Sequence, residues 1–206
     1  MALMVEEAVD LLRHRTSTKR RQGAKRLRAL ADPACAGAVR LALEREVQDP
    51  RTWETQYQMI MALGVTGTRD DVPLLRRLVG EKRDTSMVNT ALGDAIVRLD
   101  RDHEEDVTPV LWCWDQSVDG LADGALRAVA MLRLHFSPEA LDALLDRVEG
   151  EPEASHLRFW PAVAAAGWTG PRVEAFLRAC AASSRDDIAA AATQSLEGRY
   201  MKVNPL

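Results

Sequence analysis

The densest run of metal-ligand residue types in the chain is Asp102-His103-Glu104-Glu105-Asp106. A divalent cation needs such donors to converge from several directions. Here they follow one another ahead of a predicted helix start, where the helix dipole favours acidic side chains without any ligand. His14, His103, His135 and His156 form neither an HExxH pair nor a Cys/His metal pattern. Cys35, Cys113 and Cys180 are odd in number and form no CxxC, which argues against a zinc knuckle or a disulfide framework and fits a reducing cytoplasm. No glycine-rich phosphate loop and no GxSxG elbow is present. The residues therefore assign no catalytic group, no metal ligand and no cofactor, although an acid/base pair assembled from distant positions stays open.

Charge is a stronger signal. Residues 13–28 hold Arg13, Arg15, Lys19, Arg20, Arg21, Lys25, Arg26 and Arg28 with no acid among them. The whole chain carries −4, so everything outside this segment carries −12. On a helix, Arg21, Lys25 and Arg28 share one face while Ala24, Leu27 and Ala31 point inward. Two readings are open: a solvated terminal cap, or a docking patch for phosphate or for an acidic protein surface. No aromatic residue is interleaved with these cations, which disfavours stacking on single-stranded bases. The contact candidates are Arg20, Arg21, Lys25 and Arg28, joined by two tryptophans. Trp114 falls in register with Val107, Val110 and Leu111 and reads as core; Trp112, about 200° further round the helix, is then the candidate exposed anchor. Trp53 opens another predicted helix one turn before Tyr57. Packing between neighbouring elements is the competing role for each tryptophan.

These groups need elements to hold them. The 206 residues are 47% hydrophobic and 28% charged, enough for a core and unlike a disordered chain. Apolar clusters recur at Val9, Val39, Val72, Val107, Leu141 and Val173, at intervals of 30, 33, 35, 34 and 32 residues. Each continues with helical spacing, as in Val72, Leu75, Leu78, Val79, and a second stripe follows about 15 residues later, as in Val88, Leu92, Ala95, Leu99. Asp49-Pro50, Glu151-Pro152 and Ser183-Ser184 separate the two stripes; Ser137-Pro138 and Gly170-Pro171 open new first helices. Strand signals are weak. The chain reads as all-α, about twelve helices in six pairs, each pair hiding its apolar face against its neighbours.

Residues 60–78, with a second helix ending in Ala62-Leu63-Gly64, an acidic turn, and a first helix starting Val72-Pro73-Leu74-Leu75, resemble the junction of HEAT repeats. Arg20 or Arg21 followed by Ala24, Leu27 and Leu30 is similar to the core of a HEAT second helix. Leu63-Gly64 closes a second helix instead of lying inside a first, and this separates the pattern from tetratricopeptide repeats. The resemblance implies one right-handed α-solenoid over 1–206, with repeats near 1–35, 36–69, 70–105, 106–137, 138–169 and 170–198 and a tail 199–206. It also implies second helices lining a concave side, and a non-catalytic scaffold that binds a partner protein. The alternative it carries is nucleic-acid binding, including DNA glycosylases of the alkylation-repair type, for which Leu111-Trp112-Cys113-Trp114-Asp115 offers similar ingredients. Confinement of the cations to one end argues against that version. No leader pattern and no apolar run of membrane-spanning length appear, so the expected compartment is the cytoplasm. The tail after Gly198 is expected to cover the last repeat or to dock onto a partner.

Overall fold

A computed structural model describes residues 2–81 and 85–203. Asn204 to Leu206 of the expected tail lie outside the described residues. Twelve α-helices and five short 3₁₀ turns make up the regular structure, with no strand among the described residues. The chain gathers into two compact units, Met1–Asp100 with Cys113–Ala125, and Arg101–Trp112 with Leu126–Leu206.

The first unit holds α1 (Ala2–Leu11), α2 (Ser17–Leu30), α3 (Ala36–Glu46), α4 (Trp53–Thr66), α5 (Val72–Val79) and α6 (Met87–Asp100). Two further helices, α7 (Thr108–Asp115) and α8 (Leu121–Leu132), contribute residues to both units. α1 packs on α2, α3 on α4 and α5 on α6, while α2 packs on α4 and α4 on α6. The expected stripes are the buried ones: Val72, Leu75, Leu78 and Val79 on α5 are each at most 5% exposed. Fully burying a leucine such as Leu75 contributes about 2 kcal/mol. Local chemistry sets the starts. Thr68 and Asp71 form a capping box at the turn before α5, and the other carboxylate oxygen of Asp71 accepts from Arg40 of α3 at 3.1 Å. Gln56 of α4 donates to the carbonyls of Glu46 and Asp49 at 3.3 and 2.8 Å, satisfying backbone acceptors around the end of α3.

Several expectations shift. Val9 lies in the last turn of α1 instead of near its start. Ala31 does not point inward: it is exposed, with φ 49°, as the left-handed cap whose N–H closes on Leu27. α4 continues past Leu63-Gly64 to Thr66, and Gly67 caps it through a 2.7 Å bond to the Leu63 carbonyl. Gly64 is a packing residue, since a Cβ there would sit 2.9 Å from that of Ala95 on α6. The largest departure concerns α4 and α6. Thr55–Gly64 and Val88–Val97 are buried at every position, so neither helix offers the open face a groove-lining second helix would have. Apart from Asp94 these stretches carry no charge, and a helix without a polar side packs all round.

The second unit holds α9 (Pro138–Glu149), α10 (Phe159–Ala164), α11 (Pro171–Ala181) and α12 (Asp186–Leu196). α12 packs on both α10 and α11, and its Ser195 hydroxyl donates to the Ala162 carbonyl at 2.6 Å. Ser137 caps α9 through Ala140 N–H, with Pro138 in the first turn. Arg172 on α11 reaches Asp142, Asp146 and Glu149 of α9 at 3.1, 2.5 and 2.7 Å. Gly198, φ 69°, turns the chain after α12. The tail then lies inward: Tyr200 stacks on Arg133 and its hydroxyl faces Gly167. The described part of the tail therefore covers its own unit.

Candidate functional site

α2 is a second helix that presents an open face. Gly23, Ala24 and Leu27 are buried, and the opposite arc exposes Thr18, Lys19, Gln22, Lys25, Arg26 and Ala29. Lys25 lies near the middle of that arc, with Lys19 and Arg26 on one flank and Arg21 and Arg28, both half-buried, on the other. Lys19, Lys25 and Arg26 have no carboxylate partner among the described residues, so their charge is turned to solvent.

Arg20 departs from the expectation that placed it among the contacts. Its Nε and Nη2 grip Glu46 at 2.6 and 2.9 Å, and its Nη1 donates to the His14 and Arg15 carbonyls at 3.0 and 3.1 Å. With the Glu46 side chain only 4% exposed, this bidentate pair is a brace between α2 and α3, and it engages all three guanidinium nitrogens. Arg21 is ion-paired with Glu54 at the start of α4. Beside Glu54, Trp53 is 37% exposed, an aromatic edge at the foot of α4. Trp112 belongs to the other unit and is half-buried; on α7 the buried positions are Pro109, Val110 and Cys113, so Trp114 is half-buried as well. The expected division of one core tryptophan and one exposed one is not what the helix does. Lys19 and Arg26 are the contributors that sequence reasoning missed, and extending the Ala24/Leu27 inward register to the whole arc would have found them.

The acidic run is a loop device. Asp106, 9% exposed, accepts from the backbone N–H groups of Asp102 and Thr108, each at 2.9 Å. Burial pushes its carboxyl pKa up, but these bonds outweigh it and hold the pKa below the usual range. Among the described residues no three of His, Cys, Asp and Glu gather in a metal-holding arrangement. His14 closes a local turn, its Nδ1 accepting from Thr16 N–H at 3.1 Å. No helix is long and apolar enough to cross a membrane among the described residues.

The chain matches no family model, no curated protein and no solved structure. The chemistry of the site must be argued from its own residues. The α2 arc offers strongly hydrated ammonium groups and one guanidinium, suited to scattered carboxylates or phosphates.

All three thiols are buried. Burial pushes Cys113 up to about 12 and Cys180 up to about 11, and raises Cys35 too. Ellman's reagent at pH 8 should label none of them in the native chain and all three in urea; rapid native labelling of Cys113 or Cys180 would contradict this placement. The same shifts set a direction for stability. An unfolded thiol ionises near pH 8.5 while the native one stays protonated, so stability is complete below that pH and declines as pH rises towards the native values.

Proposed function

We propose that this chain is a non-catalytic, HEAT-like helical-repeat module, its pairs continuing as a right-handed solenoid, that acts in the cytoplasm by holding an acidic partner protein against α2. The pairing of α1 with α2, α3 with α4 and α5 with α6, and the succession α2, α4, α6, support the nearest-neighbour build. One observation carries the choice of surface: Lys19, Lys25 and Arg26 stand exposed and unneutralised on a helix fastened at both flanks by Arg20–Glu46 and Arg21–Glu54. A helix braced in this way presents its charges with little ordering cost on binding. The groove implied by the family likeness is not the contact in this reading, because Thr55–Gly64 of α4 and Val88–Val97 of α6 are buried at every position.

The test compares the wild-type chain with the triple variant Lys19→Glu/Lys25→Glu/Arg26→Glu, using a poly-glutamate peptide and a 24-base-pair DNA duplex as probes at 150 mM salt. Peptide binding should weaken by about tenfold or more in the variant, consistent with loss of charge complementarity, and the duplex should not bind. Duplex binding that falls steeply with salt and disappears in the variant would replace this reading with nucleic-acid recognition. Equal peptide binding by both chains would remove α2 as the contact.

A further inference from the structure

The second unit contains a pocket of about 380 Å³ between the end of α8, α10 and the tail. Met131, Val163 and Val203 supply apolar wall, and Met131 is 38% exposed there. Arg133 and Lys202 supply two cations, Tyr200 a phenol, and no acid lines the space. Neither cation has a carboxylate partner among the described residues. The Arg133 guanidinium lies 4.3 Å from the centre of the Tyr200 ring, which orients it without neutralising it.

Arg133 also occupies a costly position. It follows the last residue of α8 with φ 52°, and the turn closes through Arg133 N–H to Ala130 and Leu134 N–H to Val129 at 3.2 and 3.0 Å. Glycine is the usual residue for such a left-handed helix end, where a Cβ is sterically disfavoured. Nothing in the turn itself calls for arginine. Ala31 and Ser117 adopt similar φ values, 49° and 53°, so the turn is not itself a mark of binding; what it does here is set the Arg133 side chain on the pocket lining.

The geometry points to a binding site for a small amphipathic anion, a carboxylate or phosphate ester on an apolar chain or ring, its head between Arg133 and Lys202 and its body against Met131, Val163 and Val203. The apolar wall alone would accept any hydrocarbon; the paired cations select the charged head. This site is independent of the α2 surface.

Decanoate below its micellar concentration, titrated calorimetrically into the full chain, should bind saturably with a dissociation constant on the order of 0.1 mM. Decanol, lacking the charge, and acetate, lacking the body, should bind at least about tenfold more weakly. Arg133→Gly should weaken decanoate about tenfold or more while the thermal midpoint holds or rises, because glycine relieves the left-handed turn. Lys202→Ala, at an exposed tail position, should weaken it as well without altering the fold. Decanol binding as tightly as decanoate, unchanged affinity in both variants, or no saturable heat at 1 mM decanoate would each overturn the proposal. Binding to phosphatidylglycerol vesicles with none to free decanoate would also overturn it, assigning the cations to a membrane surface instead.

Discussion

Gly124→Val should unfold the first unit well below the melting temperature of the wild type. α6 and α8 meet backbone to backbone at two reciprocal points. A Cβ on Gly124 would lie 1.9 Å from the Thr90 carbonyl oxygen and 2.6 Å from its carbon; one on Gly93 would lie 2.1 Å from the Leu121 oxygen. The obstructing atoms are main chain, so no rotamer change relieves the clash and the helices must separate. Close-packed interiors resist such movement, and an overpacking cost of about 3 kcal/mol or more is expected. Against a typical total of 5–15 kcal/mol, that lowers the midpoint of a chain this long by roughly 6–12 °C. Gly37 is the internal control. It lies in α3, where an added Cβ would meet nothing within 4 Å, so Gly37→Ala should stabilise by about 0.5–1 kcal/mol. Urea melts of the two variants should move in opposite directions. A loss in Gly37→Ala as large as that in Gly124→Val would show that the α6–α8 contact does not distinguish these positions, since helix propensity alone favours both substitutions.

Arg20→Ala should be the second severe lesion, costing about 3 kcal/mol, although Arg20 sits within a cluster that reads as solvent-facing. Its removal leaves the Glu46 carboxylate, 4% exposed, without its two charge-assisted bonds, and frees the carbonyls of His14 and Arg15. Glu46→Ala should cost less, because the Arg20 side chain is 21% exposed and can reach water. The double variant Arg20→Met/Glu46→Leu should recover most of the loss, since replacing both buried charges with apolar volume is often neutral. Denaturant unfolding of the wild type, the two alanine variants and Arg20→Ala/Glu46→Ala completes a thermodynamic cycle. Additive losses in the cycle would show that the two side chains do not act as a pair. Lys25→Ala on the same helix should change stability by under about 0.5 kcal/mol, separating the exposed cations that the functional proposal uses from the one that holds the helices together.

The cationic segment shows how far sequence goes here. Eight positive residues within sixteen are visible at once, and the Ala24/Leu27 register says which way the helix must face, since period 3.6 and the need to bury apolar groups are local rules. The same rules placed Leu75 and Leu78 on α5 and Val88, Leu92 and Ala95 on α6 inside, and marked Ser137-Pro138 and Gly170-Pro171 as helix starts. What they could not do was divide the cations. Arg20 and Lys19 are adjacent and chemically alike; one is clamped by a carboxylate 26 residues away and the other is bare. That partner is a tertiary fact, because an ion pair depends on distance in space and burial, neither of which a charge pattern encodes.

The tryptophans and glycines teach the same lesson from the other side. Helical phase places Trp112 and Trp114 on different sides of α7, yet both end half-buried, because how many neighbours surround a helix is set by the packing and not by its own phase. Gly93 and Gly124 look like weak points in helical runs and prove to be where two backbones touch. Helical class, the order of twelve helices and their inward stripes were written in the sequence by itself, since propensity, periodicity and capping act within a few residues. Burial of Thr55–Gly64 of α4 and Val88–Val97 of α6 at every position, the capture of Arg20 by Glu46 and the left-handed Arg133 beside Tyr200 were decided only in three dimensions, where the energy lies in contacts between residues far apart along the chain.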